Sequence, residues 1–307
     1  MSRIAFLGPL GTFHEQALLT QPDLAEMDLV PTSSIAAALA AVDDGTVDYG
    51  FAAVENAIEG SVNVTVDTLA FERDLLIQRE VVIRVQLALL ALPGVGFGDV
   101  RRIVSFPVAT AQCRKFLADK LPDAEIVAVN STAEAARVVG EEGWDDAAAI
   151  GPLLAGELYG LDVLESDVED HPENETRFAL VARQGIPRPT GHDKTSIVCF
   201  QQADRPGSLL SILQEFAARA INLTKLESRP TKKGLGNYCF FMDFEGHVAD
   251  ELVADLLRDL RAKVADVRFL GSYPAAGEHG DAVRREADAA WRAANVWVSD
   301  LRRQITF

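Results

Sequence analysis

The sequence predicts an α/β protein with two open α/β lobes, followed by a smaller unit in the order strand, helix, strand, strand, helix, strand. Over about the first 185 residues, short runs rich in Val, Ile and Leu alternate with runs of helical period, as in an open sheet covered by helices. An apolar run at residues 75–91 separates two such sets. Gly and Pro are concentrated at residues 185–193, which indicates a linker.

Composition narrows the class of protein. The chain has 307 residues, of which 48% are hydrophobic, and a formal net charge of −17. This charge disfavours nucleic acid and anionic membranes as partners. No apolar run reaches the ~18 residues of a membrane-spanning helix, and the first residues lead straight into a strand without the pattern of a signal peptide. We therefore expect a cytoplasmic protein.

Neither a metal site nor a cofactor is expected. Cys113, Cys199 and Cys239 are an odd number of cysteines without CxxC spacing, and the histidines lie in separate segments without the spacing of metal ligands. The glycines at 94–98 lack the helix and the acidic residue of a dinucleotide-binding fingerprint.

The elements follow from these periods in chain order. The first lobe is predicted to contain strands 4–7, 28–31 and 49–54 and helices 13–19 and 34–42. The second is predicted to contain strands 103–105, 125–129 and 147–150 and helices 110–119 and 132–141, and strand 177–182 returns to the first. The smaller unit has predicted strands 195–200, 221–228, 237–244 and 264–271 and helices 207–218 and 248–261, the split βαβ pattern.

These elements suggest domain boundaries. We expect the two lobes in residues 1–184, the first from 1–78 with 170–184 and the second from 79–169. The linker is 185–193, the smaller unit is 194–274, and 275–307 is a helical extension. The extension carries an apolar stripe at helical spacing, formed by Val283, Ala287, Ala290, Trp291, Ala294, Val298 and Leu301. A cleft between two lobes is a common place for a small-molecule site.

The turn after the first strand is one candidate binding segment. Thr12 and Glu15 form a capping box at the start of helix 13–19, and the backbone N–H groups of such a turn can bind a carboxylate. Taken alone, a capping box more often marks only a well-formed helix start.

Strand ends of the first lobe supply further candidates. Glu55 and Asn56 follow strand 49–54, with Ser61 shortly after, and ligands of open α/β sheets bind beyond the carboxyl ends of strands. Thr176 and Arg177 open the returning strand, where the guanidinium fork suits a carboxylate. Taken alone, the segment with Glu55 and Asn56 is explained equally well as a solvated turn. The segment with Thr176 and Arg177, taken alone, is explained equally well as a chance triplet.

The second lobe offers Ser105 and Gln112. Ser105 ends a strand, and Gln112 falls in the predicted first turn of helix 110–119, where it can face the cleft. A glutamine on a helix surface with no role is the simpler interpretation of that position alone.

Together and in this order, these segments resemble the prephenate dehydratase family. The motifs are Gly8-Pro9-Leu10-Gly11-Thr12-Phe13, Asp48-Tyr49-Gly50, Glu55-Asn56, Gly60-Ser61-Val62 and Thr176-Arg177-Phe178. Two further segments and the strand between them look like the signatures of the family's ACT domain: Arg205-Pro206-Gly207-Ser208-Leu209-Leu210, Ile221-Asn222-Leu223 and Glu227-Ser228-Arg229-Pro230. The resemblance covers residues 3 to about 273.

The resemblance implies a fold and a reaction. The fold is a two-lobed, periplasmic-binding-protein-like catalytic domain with a βαββαβ, ferredoxin-like ACT domain. The reaction, a step of L-phenylalanine biosynthesis, removes CO2 and the ring hydroxyl from prephenate to give phenylpyruvate, without a cofactor. The implied catalytic residues are Thr176, Glu55, Asn56 and Gln112. The implied substrate-binding residues are Thr12, Ser61, Ser105, Arg177 and Phe178.

The ACT signatures imply feedback regulation by L-phenylalanine. The implied effector-binding residues are Pro206, Gly207, Ser208, Leu209, Leu210, Asn222, Glu227 and Ser228. ACT units commonly pair their sheets side by side, so we expect a homodimer or a homotetramer of two dimers.

The chain departs from the family pattern at two positions. Ala57 stands where serine is frequent, and Phe106 stands where histidine is frequent. No chorismate mutase helices precede the motifs, so we expect the monofunctional form. Arogenate dehydratase, which carries out the same elimination on the transaminated substrate, is an alternative. A non-catalytic two-lobed binding protein is an alternative from a different class.

Overall fold

The structure is a computed structural model and describes residues 1–201, 206–232, 238–263, 266–276, 293–294 and 296–304. It divides into two compact units, residues 1–68 with 81–181 and residues 69–80 with 182–307. The strands are β1 (Arg3–Leu7), β2 (Asp28–Thr32), β3 (Tyr49–Asn56), β4 (Gly60–Ser61), β5 (Leu76–Arg84), β6 (Ala88–Ala91), β7 (Arg102–Ser105), β8 (Glu125–Ala128), β9 (Ala147–Gly151), β10 (Asp162–Glu165), β11 (Glu175–Ala182), β12 (Asp193–Phe200), β13 (Leu223–Pro230), β14 (Tyr238–Glu245) and β15 (Asp266–Pro274). The helices are α1 (Phe13–Leu19), α2 (Pro22–Ala25), α3 (Ile35–Asp43), α4 (Asn63–Asp67), α5 (Pro107–Gln112), α6 (Arg114–Lys120), α7 (Thr132–Glu142), α8 (Leu153–Tyr159), α9 (Ser208–Ala218) and α10 (Glu251–Lys263), with a π-helical turn at Thr68–Glu72.

The first sheet has the order β2-β1-β3-β11-β5, with β4 beside β3. β1 pairs in parallel with β2 and β3, and β11 runs antiparallel to β3. Phe6, Phe51 and Phe178 are buried in its core, where the rings of Phe51 and Phe178 stack with centroids 5.2 Å apart. Burying each such ring stabilises the fold by ~1.5–3 kcal/mol. The packing therefore fixes the last residues of β3 beside the first residues of β11.

The second sheet has the order β10-β6-β9-β7-β8. Small side chains dominate its packing, because α7 places Ala133, Ala136 and Val139 against Ala147 and Ala149 of β9. Side chains of this size let the helix approach the sheet closely. From the carboxyl end of β7 the chain enters α5, whose last residue, Gln112, reaches the candidate site.

The helix predicted at 110–119 is wrong in its bounds. It begins earlier, since Pro107 occupies the first helical position, and it breaks at Cys113, whose φ of −113° leaves the helical region. Gln112 is therefore the last residue of α5 instead of a residue of the first turn.

Two chain segments join the first and second sheets, at residues 85–87 and 166–174. They are hydrogen-bonded to each other: Val85 N donates to Asn174 O at 2.8 Å, and Val168 N donates to Leu87 O at 3.0 Å. The buried carboxylate of Glu169 accepts from Leu87 N at 2.9 Å. These bonds hold the returning segment in place as it enters β11.

The second unit contains a sheet of order β13-β14-β12-β15, with antiparallel pairs throughout. Residues of α9 and α10 bury Ile197, Met242 and Phe244 of this sheet. Residues 69–80 belong to the same unit. Lys194 Nζ lies 2.8 Å from the Glu80 carboxylate. The predicted βαββαβ order is confirmed.

Most of the predicted C-terminal stripe lies outside the described residues. Within the described part, residues 296–303 are helical, and Trp297 and Leu301 are exposed. Among the described residues, no helix has the length and apolar character needed to span a membrane.

Candidate active site

The end of β3 and the start of β11 bring four predicted site residues together. In the antiparallel register Thr176 pairs with Asn56, and Arg177 pairs with Glu55. This placement follows from the stacked phenylalanine core, which fixes both strands. A carboxylate, an amide, a hydroxyl and a guanidinium therefore share one edge of the first sheet.

The side chain of Asn56 orients the Thr176 hydroxyl. Asn56 Oδ1 accepts from the backbone N–H groups of Ile58 and Glu59, each at 3.0 Å, so its Nδ2 must face the other way. That nitrogen donates to Thr176 Oγ1 at 2.9 Å. Because the Thr176 oxygen accepts there, its own O–H points elsewhere, and the described residues provide no acceptor for it. The Thr176 O–H can therefore donate to a bound molecule.

Gln112 joins this cluster from the second sheet. Its backbone oxygen accepts from Asp170 N at 2.6 Å, which fixes the end of α5. Its side-chain oxygen accepts from Asn174 Nδ2, and its nitrogen donates to the Glu59 carboxylate, each at 3.3 Å. Gln112 is only 9% exposed, so this orientation is well defined.

Asn174 and Glu59 were not among the predicted site residues. Asn174 precedes Thr176 by two positions, the spacing of residues on one face of an extended chain, and that spacing is the signal that the sequence offered. It is 1% exposed and accepts from Asn56 Nδ2 at 2.8 Å. Glu59 lies in the same turn as Asn56.

Arg177 is paired with Glu55. The guanidinium and the carboxylate are 3.1 Å apart, and their side chains are 14% and 35% exposed. The Arg177 guanidinium supplies a local positive charge within a chain of net charge −17. An incoming carboxylate has to share the guanidinium with Glu55.

Three side chains that were predicted to bind substrate make hydrogen bonds or packing contacts within the protein. Thr12 Oγ1 donates to Leu7 O at 3.1 Å and accepts from Glu15 N at 3.4 Å. Ser105 Oγ donates to Ile150 O at 2.7 Å and is fully buried. Phe178 is 1% exposed within the core. All three side chains therefore help to shape the strands and the loop around the site.

The turn before α1 is likewise occupied by a protein carboxylate. Glu15 accepts from Gly11 N at 2.5 Å, so the capping box closes on itself. The Gly11 N–H group is therefore already bonded to a protein carboxylate. Ser61 remains beside the site, since it pairs with Glu55 across β3 and β4.

The two departures from the family pattern are both exposed. Ala57 follows Asn56 and donates its backbone N–H to Glu175 O at 2.8 Å, so this turn is held without a side-chain hydroxyl. Phe106 is 39% exposed and precedes α5.

His14 lies behind the site as a buried neutral base. Its Nε2 accepts from Ala53 N at 3.3 Å, and its ring packs edge-on against Phe178. Burial lowers the pKa of His14 to about 4. His14 is therefore uncharged at neutral pH, and its ring nitrogen is already used.

We expect His14 to make the protein less stable as the pH falls from 6.5 towards 4. The unfolded chain binds a proton at this residue below its ordinary pKa of 6.5, whereas the folded protein does so only near pH 4. The free energy of unfolding should lose about 2 kcal/mol by pH 5 from this group. Urea unfolding at pH 7.5 and pH 5 should show a smaller pH dependence for His14→Gln than for wild type. His171→Gln, at an exposed position, is the control; equal pH dependence in wild type and His14→Gln would refute the assignment.

A pocket of about 550 Å³ in the second unit gathers five predicted effector residues. The predicted residues that line it are Gly207, Ser208, Leu209, Leu210 and Ser228. Leu213, Tyr238 and Phe240 add apolar surface. Gly207 precedes α9 with φ +85°, and none of the described side chains caps the helix there. The first backbone N–H groups of α9 therefore remain available to a small anion.

The other predicted effector residues do not line this pocket. Asn222 lies at the opposite end of β13 from Ser228 and donates to Glu245 at 3.0 Å. Glu227 pairs with Arg229 at 3.2 Å and with Lys225 at 3.6 Å. Pro206 adjoins the lining residue Gly207. Within one chain, Asn222 and the loop at 206–210 are therefore separated by the length of a strand.

Two α/β lobes sharing a polar cluster, followed by a βαββαβ unit with its own pocket, define a class of small-molecule enzyme with an appended ligand-binding unit. The family description of prephenate dehydratase matches residues 4–186, and that of the ACT domain matches residues 195–262. The chain belongs to the prephenate dehydratase family, whose members are hydro-lyases. The predicted fold class is confirmed. Within the described residues, no group of His, Cys, Asp and Glu is arranged to hold a metal ion.

Three proteins illustrate the similarity. Prephenate dehydratase of Mycolicibacterium vanbaalenii is 45% identical over 288 residues, 89% of this chain and 91% of that protein. The structure of prephenate dehydratase from Arthrobacter aurescens in complex with L-Phe has a TM-score of 0.88 and 40% identity, and covers 98% of this chain and 99% of that one. The structure of GqqA, described as a novel type of quorum quenching acylase, has a TM-score of 0.80 and 32% identity, and covers 89% and 98%.

Proposed function

We propose that this protein converts prephenate to phenylpyruvate, with Thr176 as the hydrogen-bond donor to the departing hydroxyl. The observation that carries the proposal is the orientation of that hydroxyl: its oxygen accepts from Asn56, so its proton is left to donate. Family membership gives the reaction, and the geometry supports this role for Thr176.

The reaction requires little covalent chemistry from the protein. The electron pair of the bond to the ring carboxylate moves into the ring as CO2 leaves. The ring hydroxyl departs as hydroxide, hydrogen-bonded to the Thr176 O–H, and takes up a proton from solvent to become water. Aromatisation drives the step. Threonine is a poor acid by its own pKa, so donating a hydrogen bond and fixing the geometry contribute more than full proton transfer.

Arg177 supplies the positive charge that a dianionic substrate needs. Its guanidinium is mostly buried beside Glu55, and a planar fork binds a carboxylate through two parallel hydrogen bonds. We propose that a substrate carboxylate shares the Arg177 guanidinium with the Glu55 carboxylate. Gln112 and Ser61 complete the polar wall of the site.

Turnover separates the competing functions. Purified protein should form phenylpyruvate from prephenate, detected by its absorbance, with a kcat/KM in the ordinary enzymatic range of ~10⁴–10⁸ M⁻¹s⁻¹. A preference for arogenate would make the protein an arogenate dehydratase. Binding of prephenate without product would support the non-catalytic alternative. An acylated substrate belongs in the same assay because of the similarity to GqqA.

We also propose that L-phenylalanine binds in the pocket beside α9 and inhibits the enzyme. An apolar wall of Leu209, Leu213 and Phe240 suits a phenyl ring, and the uncapped start of α9 suits the effector's carboxylate. The complex of the Arthrobacter aurescens protein with L-Phe supports this ligand. Inhibition requires that phenylalanine favour a state whose catalytic site is less competent.

A homodimer would bring Asn222 to this pocket. β13 pairs only with β14 among the described strands, and Leu226 on it is 41% exposed. Antiparallel pairing of β13 with β13 of a second copy sets the start of one strand against the end of the other, as a two-fold axis requires. Asn222 of the second copy then lies at the Ser228 end, where its side-chain oxygen can accept from the effector's ammonium group.

Asn222→Ala is expected to weaken L-phenylalanine binding about tenfold, because one hydrogen bond to a charged group is lost. Calorimetry on the wild type and the variant measures this, and light scattering checks that both are dimers or tetramers. Asn130→Ala, at an exposed residue of the first unit, is the control. Equal affinity in the wild type and Asn222→Ala would place the effector elsewhere, and a wild type that does not bind would end the regulatory proposal.

A further inference from the structure

A closed ring of hydrogen bonds joins the first sheet to the second. Glu59 N donates to Asn56 Oδ1 at 3.0 Å, and Asn56 Nδ2 donates to Asn174 Oδ1 at 2.8 Å. Asn174 Nδ2 donates to Gln112 Oε1, and Gln112 Nε2 donates to Glu59 Oε1, each at 3.3 Å. The ring therefore begins and ends on Glu59.

The chemistry of Glu59 gives the ring its direction. A backbone N–H only donates and a carboxylate only accepts, whereas each side-chain amide does both. The N–H of Glu59 fixes Asn56 from one side, and its carboxylate fixes Gln112 from the other. Asn174 is the link between them, so its orientation follows from both. Turning any one amide round would set like atoms against each other.

Two of these amides are buried, so the direction of the ring matters for stability. Asn174 is 1% exposed and Gln112 is 9% exposed, and an unsatisfied polar group in such surroundings is strongly destabilising. The backbone oxygen of Asn174 also accepts from Val85 N at 2.8 Å, at the segment that joins the two sheets. Asn174 therefore connects the segment that joins the two sheets to both of its neighbours in the ring, Asn56 and Gln112.

We propose that Asn174 and Glu59 are positioning residues for the elimination. Their ring holds the Gln112 nitrogen on the Glu59 carboxylate, with its second N–H left to donate, and the Asn56 nitrogen on Thr176. The site therefore offers hydrogen-bond donors to an anionic substrate and a departing hydroxyl. A reversed Gln112 would present its carbonyl oxygen instead and repel the same groups. This proposal rests on the proposed function, because Gln112 and Thr176 are the groups assigned there to the reaction.

Asn174→Asp tests the direction of the ring. Aspartate has nearly the same shape and still accepts from Asn56, but it cannot donate to Gln112 Oε1. Gln112 can satisfy it only by turning round, and its oxygen then faces the Glu59 carboxylate. We expect kcat to fall about 100-fold, as for a small misplacement of a reacting group, together with a lower Tm.

Adding Glu59→Gln to Asn174→Asp separates positioning from stability. The side-chain amide introduced by Glu59→Gln can donate to the reversed Gln112, so every partner in the ring is satisfied again and most of the lost Tm should return. Gln112 stays reversed, so kcat should remain low. Recovery of kcat along with Tm would reduce the ring to a structural role. A Tm that does not recover would refute the assigned direction.

The remaining outcomes are equally decisive. Asn130→Asp introduces the same charge at an exposed residue and should alter neither kcat nor Tm appreciably. Wild-type kcat in Asn174→Asp would sink the proposal. If Asn174→Asp does not fold, Gln112→Glu with and without Glu59→Gln tests the same link by Tm, since the second substitution replaces one of two facing carboxylates by a neutral amide. An inactive wild type would end the proposed function, while the Tm coupling would still test the ring.

Discussion

Thr176→Ala is expected to lower kcat for prephenate about 10³-fold, within the range typical for losing a group that donates to a leaving atom. The variant removes the O–H that Asn56 directs away from itself. KM should change little, because the hydroxyl interacts most strongly with the departing oxygen in the transition state. Steady-state rates of phenylpyruvate formation measure both constants.

The fold of this variant should be intact. Asn56 Nδ2 keeps two other acceptors after the substitution, Asn174 Oδ1 at 2.8 Å and Glu175 O at 3.3 Å. Its N–H groups therefore still have partners, and the free energy of unfolding should fall by only ~1 kcal/mol. Thr176→Ser retains the hydroxyl and should keep most of the activity. Thr110→Ala removes a threonine hydroxyl bonded to Pro107 O and serves as the control. Wild-type kcat in a folded Thr176→Ala would exclude this residue as the donor.

Local patterns were sufficient for most of the fold. The alternation of strand and helix periods located β1, β3 and β9 to within a few residues, because strands buried on both faces are nearly continuous apolar runs. The short elements β4 and β10 were not predicted. Each is held by pairing with a neighbouring strand, and such tertiary pairing leaves no local pattern in two to four residues. The break at Cys113 was also missed; the contact there, from Asp170 N to Gln112 O, comes from a distant part of the chain.

The candidate site was predicted only in part. The motifs indicated Asn56 and Thr176, since polar residues at strand ends converge on one edge of a sheet. Gln112 joins them from the end of α5. The sequence could not show that Phe178 points into the core. Thr176 and Phe178 are two positions apart and so have the same alternation, and the register shift between Arg177 and Phe178 cannot be seen in the sequence. Asn174 and Glu59 were missed because their roles depend on a ring that forms only when both sheets are in place.

The ion pair between Arg177 and Glu55 determines how strongly the site binds a negatively charged substrate. The guanidinium lies 3.1 Å from the carboxylate and is only 14% exposed, so it is positioned before substrate arrives. A lysine at this position would place one ammonium near Glu55 and could not offer a second, parallel donor to the substrate. Removing the Glu55 charge would have the opposite consequence, since it removes a carboxylate that competes with the substrate for the guanidinium.

Arg177→Lys is therefore expected to raise KM for prephenate about 30-fold, because a bidentate charged contact worth ~2 kcal/mol is reduced to a weaker one. Glu55→Gln should lower KM in the same assay, and the two variants should shift KM in opposite directions at any one salt concentration. Arg183→Lys, at an exposed residue after β11, is the matched control and should leave KM unchanged. A KM for Arg177→Lys equal to that of the wild type would remove the guanidinium from the carboxylate site. A rise in KM for Glu55→Gln would instead mean that the Glu55 carboxylate itself binds the substrate, by accepting a hydrogen bond from one of its hydroxyl groups.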